Sequence, residues 1–215
     1  MFDLDGTLLD TLQDLADSMN AVLSRLGLPT HPPDSYRYFV GSGREHLVAA
    51  ALPKNRRNPE TITECVTAMD REYGKRWAQN SKPYPGIPAL LSGIDSLGLT
   101  KAVLSNKSDE FVCAMVKKLL GQWSFAVIRG AKPNVPLKPD PAAALGIADD
   151  LGIDADKWLY LGDSDIDMQT AKSAGMYAAG ALWGFRTANE LASAGSKVLV
   201  QTPLEVLELL NKPAE

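Results

Sequence analysis

Met1-Phe2-Asp3-Leu4-Asp5-Gly6-Thr7-Leu8-Leu9-Asp10-Thr11 opens the chain, and its reading decides the fold. Asp3 and Asp5 stand two apart in a segment that reads as extended, so their side chains share one face of a strand. Gly6 and Thr7 give a turn signal, which puts the pair where that strand ends. Open α/β sheets bind their ligands at the carboxyl ends of strands. Two neighbouring carboxylates each raise the cost of ionising the other. A bound cation removes that cost, and Mg²⁺ with a phosphate is the usual occupant of such an oxygen-rich place.

Outward from this stretch, Leu12, Leu15, Ala16, Met19, Val22, Leu23 and Leu26 fall at helical spacing, and Gly27 closes the helix. Residues 28–33 read as a loop. A Gly-Ser-Gly turn at 41–43 precedes a helical run over 44–52. Ile62, Cys65, Val66, Met69, Tyr73 and Trp77 mark another amphipathic helix. Residues 12 to about 80 therefore hold helices and no convincing strand. After Lys82-Pro83-Tyr84-Pro85-Gly86 the rhythm changes. Helices over 87–97, 109–120, 141–151 and 165–174 alternate with strands over 101–104, 125–128, 158–161 and 177–181. A strand at 198–200 and a helix at 203–211 repeat the unit. Such alternation means a parallel sheet covered on both faces. The expected architecture is a Rossmann-like, doubly wound α/β core made of residues 1–11 and 82–215, with a small all-helical domain inserted at 12–81.

The composition is that of an ordinary globular protein: 215 residues, 45% hydrophobic and 22% charged. A net charge of −4 gives no long-range attraction to nucleic acid or to an anionic membrane. No apolar run is long enough to span a bilayer, and no signal peptide is visible. The expectation is a cytoplasmic protein, monomeric or homodimeric, with neither nucleic acid nor membrane as partner. Cys65 and Cys113 have no metal-type spacing, and both are expected as small buried residues on apolar helix faces.

Four segments carry the chemistry: Asp3-Leu4-Asp5-Gly6-Thr7, Ser105-Asn106-Lys107, Lys138-Pro139-Asp140 and Gly162-Asp163-Ser164-Asp165-Ile166-Asp167. All but Lys138, which lies in a loop opening a helix, fall at the carboxyl ends of expected strands. Singly, Asp163 reads as a helix N-cap, Lys138 as a solvated lysine, and Asn106 and Lys107 as turn residues. Jointly they supply carboxylates, a hydroxyl and a lysine, the inventory that phosphoryl transfer needs. In order, spacing and insertion point they resemble the four signature motifs of the haloacid dehalogenase superfamily of phosphohydrolases, over essentially the whole chain.

The resemblance implies roles residue by residue. Asp3 is the expected nucleophile, forming an aspartyl-phosphate. Asp5 is the expected general acid and base. Lys138 neutralises nucleophile and phosphate together. Ser105 hydrogen-bonds the phosphoryl oxygens, with Asn106, Gly6 and Thr7 as neighbours of the phosphate site. Asp3, Asp163, Asp167 and the backbone carbonyl of Asp5 hold Mg²⁺. Dehalogenases generally lack the second aspartate, so Asp5 favours a phosphate ester. The helical insertion is the superfamily's usual cap, closing over the substrate.

The stretches Phe39–Leu52, Gln169–Met176 and Ala181-Leu182-Trp183-Gly184-Phe185-Arg186 resemble phosphoglycolate phosphatases. Arg44 could read the carboxylate of a small acid by a forked contact, and a solvated arginine at a helix start competes with that reading. His46 is expected on a helix surface, Trp183 in packing, and Arg186 near the pocket or exposed. The leading expectation is a Mg²⁺-dependent phosphatase of small phosphorylated metabolites. A β-phosphoglucomutase-like sugar phosphomutase, for which Gly41 to Arg44 also fits, a pyrophosphatase, and a catalytically silent binding protein of the same fold are the alternatives. Family members carry several apolar residues before the first aspartate, whereas only Met1 and Phe2 precede Asp3. The expectation is a stunted first strand, or a start that lies upstream.

Overall fold

The structure is a computed structural model and describes residues 1–211. Its elements are β1 (Leu9–Asp10), α1 (Leu12–Arg25), α2 (Arg44–Ala51), α3 (Pro59–Arg76), β2 (Lys82–Pro83), α4 (Ile87–Ser96), β3 (Ala102–Ser108), α5 (Asp109–Leu119), β4 (Val127–Ala131), α6 (Ala142–Leu151), β5 (Leu159–Gly162), α7 (Asp165–Ser173), β6 (Tyr177–Ala181), α8 (Ala188–Ala194), β7 (Val198–Val200) and α9 (Pro203–Leu210).

The first residues hold the centre of the sheet. Phe2 bridges in parallel to Val103 on one side and to Leu161 on the other. Its N–H donates to the Ala102 carbonyl at 2.9 Å, and its carbonyl accepts from Leu104 at 2.9 Å. Asp3 donates to Leu161 at 3.0 Å, and Leu161 donates back to Met1 at 2.9 Å. With β3 paired to β4 and β5–β6–β7 in register, the strand order is β4, β3, residues 1–3, β5, β6, β7, all parallel. Alternation sorts the side chains to two faces. Phe2, Val103 and Leu161 pack with α4, α5 and α9. Met1, Ala102, Leu104, Tyr160 and Ala178 pack with α6, α7 and α8. This is the doubly wound arrangement expected from the alternating pattern.

Residues 12–77 form helices with a hydrophobic cluster of their own. Leu12, Leu15, Ala16, Met19, Val22 and Leu23 of α1 meet Cys65, Val66, Met69 and Tyr73 of α3. α3 starts cleanly because the Asn58 side chain accepts from Thr61 N–H and Pro59 sits in the first turn. The insert's two connectors are fastened together. β1 pairs antiparallel with β2, Leu9 against Pro83 and Asp10 against Lys82. Buried Asp14 accepts from the backbone N–H and the side chain of both Asn80 and Ser81.

Several sequence expectations need correcting. The strand expected at 125–128 lies at Val127–Ala131. β3 continues to Ser108, with a register irregularity between Leu104 and Ser108 that carries Ser105, Asn106 and Lys107. The short segment between the expected loop at 28–33 and the Gly-Ser-Gly turn forms a 3-10 helix, Pro33–Tyr38. α8 is an extra helix; its Thr187–Glu190 capping box is the signal that reveals it. Cys65 is buried as expected, but Cys113 is exposed on the outer side of α5.

Candidate active site

The site gathers at the strand ends on either side of residues 1–3. Asp3, Asp163 and Asp167 each present a carboxylate oxygen, the three lying within 4.8 Å of one another. Lys138 Nζ donates to Asp3 Oδ1 at 2.9 Å and to Asp167 Oδ1 at 2.6 Å. α7 begins beside β5, and its capping box fixes Asp167: Oδ2 accepts from Ser164 N–H at 3.1 Å and Ser164 Oγ at 2.6 Å. Asp163 is held at both oxygens. Thr7 Oγ1 donates to Oδ1 at 2.7 Å, and the Phe185 backbone N–H donates to Oδ2 at 2.8 Å.

Three glycines make room for these acids. A Cβ at Gly6 or Gly184 would lie 2.3 or 2.2 Å from Asp163 atoms, and one at Gly162 would lie 2.3 Å from Asp167 Cβ. Gly6 also has φ of +87°, a conformation that favours glycine.

Three buried carboxylates against one ammonium leave an excess of negative charge. Burial, then repulsion from Asp167, pushes the Asp3 carboxyl up to about 7 against the pull of Lys138. Burial, Asp167 and Asp3 push Asp163 well above the usual carboxylate range. Burial would lower Lys138, but Asp167 and Asp3 outweigh it and hold the ammonium charged. A buried cluster of hard oxygen donors with unbalanced charge fits a divalent cation.

Asp5 has a different setting. Its carboxylate stands outside that triad and accepts from Lys107 Nζ at 2.7 and 3.0 Å and from Thr11 Oγ1 at 2.6 Å. Lys107 is buried, and its Nζ lies 4.6 Å from the centroid of the Tyr73 ring of α3. Lys107 thus links the sheet to the insert and is no ordinary turn residue. Its neighbour Ser105 was the signal: the strand end that supplies the hydroxyl also aims the next side chains into the cleft.

A cavity of about 70 Å³ joins these groups, walled by Leu15, Val40, Leu47, Met69 and Phe111, with Asp3, Asp5, Ser105 and Lys107 at its floor. Other expected site residues are placed differently. Arg44 lines the cleft, but its guanidinium pairs with Asp70 at 2.6 Å and Glu45 at 3.2 Å and is half exposed. Asn106 spends its amide on backbone, donating to the Gly41 and Lys138 carbonyls and accepting from Lys138 N–H, each at 2.9 Å. The Thr7 hydroxyl faces Asp163, and Gly6 N–H donates to the Leu9 carbonyl at 2.9 Å. These three therefore shape the site's frame. His46 is exposed, as expected.

A family model described as haloacid dehalogenase-like hydrolase matches residues 1–181. The chain belongs to that family. A phosphoglycolate phosphatase of Aquifex aeolicus is 34% identical over 185 residues, covering 86% of this chain and 84% of the relative. An N-acetylmuramic acid 6-phosphate phosphatase of Pseudomonas aeruginosa is 32% identical, covering 99% of this chain and 94% of the relative. The crystal structure of a Lactobacillus delbrueckii subsp. bulgaricus protein, provisionally named a phosphoglycolate phosphatase, superposes with a TM-score of 0.90 at 28% identity, covering 97% of this chain and 96% of the other. The family member described here is a phosphatase of phosphoric monoesters. Among the described residues, no helix is long and apolar enough to cross a membrane.

Proposed function

We propose that this phosphatase is Mg²⁺-dependent, takes a small phosphorylated acid of the phosphoglycolate kind, and works through an aspartyl-phosphate on Asp3. One observation carries the reading: two carboxylates from one strand end have unlike surroundings. Asp3 shares Lys138 with Asp167 and belongs to the acid cluster, while Asp5 is held apart by Lys107 and Thr11. Unlike surroundings let the two acids take unlike roles, and the likeness of this stretch to the family's first motif supports Asp3 as the nucleophile and Asp5 as the proton carrier.

In this reading Asp3 attacks phosphorus while the bond to the ester oxygen breaks. Protonated Asp5 gives its proton to that leaving oxygen. Asp5, now a carboxylate, takes a proton from the water that attacks phosphorus and frees Asp3 and phosphate. Lys138 keeps Asp3 close to the phosphoryl charge. Ser105 Oγ accepts from Lys107 N–H at 3.3 Å, which leaves its own O–H to donate to a phosphoryl oxygen. Mg²⁺ held by Asp3, Asp163, Asp167 and the Asp5 carbonyl would neutralise phosphoryl charge and cancel the acids' mutual repulsion. Residues 12–81 act as the cap over core residues 1–11 and 82–215, of which 212–215 lie outside the described residues.

The phosphoglycolate phosphatase relative supports a small phosphorylated acid as the substrate class, and the cleft over Asp3, Asp5 and Lys107 has room for an ester of that size. Lys107 lines the cleft beside Asp5 and in this reading supplies the cation expected of Arg44. The test is a Mg²⁺-supported panel of phosphoglycolate, N-acetylmuramic acid 6-phosphate and a hexose 1-phosphate. Phosphoglycolate is expected to give the highest kcat/KM. Better turnover of the amino-sugar phosphate overturns the substrate, and a hexose 6-phosphate product marks a mutase. Activity undiminished by chelation removes Mg²⁺ from the reading.

A further inference from the structure

The segment Trp183-Gly184-Phe185-Arg186 follows the strand end of β6, and none of its residues lines the cleft over Asp3 and Asp5. It nevertheless engages the acid cluster and the helical insert at once. On the acid side, Phe185 N–H holds Asp163 Oδ2 at 2.8 Å. The Trp183 indole N–H donates to the Thr7 carbonyl at 2.9 Å, and Thr7 Oγ1 holds the other oxygen of Asp163. Gly184 lies so close to Asp163 that a Cβ there would overlap it. On the insert side, the Phe185 ring is buried in the insert's own hydrophobic cluster. Arg37 Nη1 donates to the Gly184 carbonyl at 2.9 Å. Arg186 reaches back, donating to the Arg37 and Val40 carbonyls, stacking on Tyr38 at 5.0 Å and pairing with Asp165 at 3.4 Å.

We infer that this segment is a strap coupling the seating of the insert to the placement of Asp163, so that insert closure and divalent-cation affinity depend on each other. The inference rests on the reading of the acid cluster as a Mg²⁺ site. The reason is geometric. The same peptide units that receive the insert's arginine and aromatic contacts also orient a carboxylate of the cluster. If the insert swings away, Phe185 leaves its socket and Arg37 leaves Gly184, and the N–H on Asp163 loses its anchor. Outer partners of a metal ligand commonly tune affinity by about 10- to 100-fold. Coupling of this kind is reciprocal: a cation that fixes Asp163 must also favour the seated insert. Arg37, Phe185 and Arg186 are positioning residues in this scheme, since each acts through Asp163.

The test uses the full chain and Mg²⁺ alone, without substrate. Mg²⁺ affinity is measured by calorimetric titration in the native protein, Arg37→Ala, Phe185→Leu and Arg57→Ala. Arg57 bonds only to the Leu52 and Ala50 carbonyls within the insert, and so reports general loosening of the insert. Arg37→Ala removes a half-exposed side chain and should fold. It is expected to bind Mg²⁺ roughly fivefold to tenfold more weakly, Phe185→Leu likewise, and Arg57→Ala as the native protein does. Mg²⁺ is also expected to slow amide exchange over residues 37–40 in the native protein. Affinity of Arg37→Ala within about twofold of native, equal weakening in Arg57→Ala, or unchanged exchange over 37–40 overturns the coupling and leaves the Mg²⁺ site standing. A native protein that binds no Mg²⁺ overturns the site and the strap together.

Discussion

The strand-end site and the helical insert above it are built on different terms. At the strand ends each catalytic candidate is fixed by bonds that run across the sheet. Lys138 spans Asp3 and Asp167, Thr7 and Phe185 grip Asp163, and glycines leave no spare volume. In the insert, the polar groups beside the cleft satisfy one another at the surface, as Arg44 does with Asp70 and Glu45, and the cleft wall is apolar. The contrast teaches where change is tolerated. Under the proposed function, chemistry needs sub-ångström placement and sits on the sheet, while the insert's cleft-lining side chains can be exchanged without disturbing that placement.

The largest effect that tests this division is loss of the proposed nucleophile. Asp3→Asn keeps shape and removes the charge. It is expected to lower phosphate release by at least about a thousandfold, the scale of losing one member of a catalytic group. Arg44→Ala on the insert is expected to raise KM a few-fold with kcat nearly unchanged. Steady-state kinetics on phosphoglycolate checks both. A large fall in kcat for Arg44→Ala, or a loss well short of a thousandfold for Asp3→Asn, would break the division.

Next in size is a pair of glycine substitutions. Gly184→Ala drives a Cβ into Asp163, at 2.2 Å from its Cβ. The acid must move, and Mg²⁺ binding and activity are expected to fall about 10- to 100-fold. Gly27 closes α1 with φ of +65° and has open space around a Cβ. Gly27→Ala therefore costs only backbone strain, about 1–2 kcal/mol in thermal or denaturant unfolding, with kcat unchanged. Equal damage from both would show that the site tolerates displacement as the insert does.

A pH comparison separates the two regions at a smaller scale. Asp3 is raised to about 7 in the folded protein from an ordinary 3.8. Between those values the folded state holds more protons than the unfolded, so metal-free stability falls as pH rises from about 4 to about 7. In the insert, hydrogen bonds from Arg76 and Lys75 hold Glu72 down at about 2 against an ordinary 4.5. Its contribution is complete above about pH 4.5 and is lost only as pH falls toward 2. Metal-free Tm is thus expected to drop by several °C between about pH 5 and pH 7.5, and saturating Mg²⁺ should abolish the drop. A flat metal-free profile would show that the acid cluster carries no charge strain.

The unequal legibility of the two regions has the same origin. Asp3, Lys138, Asp163 and Asp167 were readable because strand ends and helix starts fix where such residues point, and the turns around them are short. Taken singly, Lys107 also reads as a turn residue, because its burial depends on Tyr73, 34 positions earlier in the chain and on another element. Asn106 and Thr7 looked like ligand contacts because a polar side chain at a strand end can face either substrate or frame; only the partners, Gly41, Lys138 and Asp163, decide which. Cys113 was placed inside by helical periodicity, yet α5 turns that side outward. α8 escaped because a helix of seven residues, rich in alanine, shows little periodicity beyond its capping box.

The smallest predicted effect concerns the sheet itself, at the end opposite the site. Residues 1–3 hold both neighbours with single-residue bridges, and behind them lies a cavity of about 310 Å³ lined by Met1, Phe2, Ile94, Leu99, Trp158 and Leu210, among others. A variant carrying three or four additional β-branched residues ahead of Met1 would lengthen this strand, pair with the backbone near Thr100 and Trp158, and fill the hole. Cavity filling of this kind commonly adds about 0.5–2 kcal/mol, here a rise of a few °C in Tm. Because the added segment lies at the far end of the strand from Asp3, kcat should stay the same. A rise in Tm with kcat fixed would show that the site is already anchored by its cross-sheet bonds. A rise in kcat as well would show that Asp3 is positioned partly by the strand behind it, and that the rigidity of the site extends through the sheet.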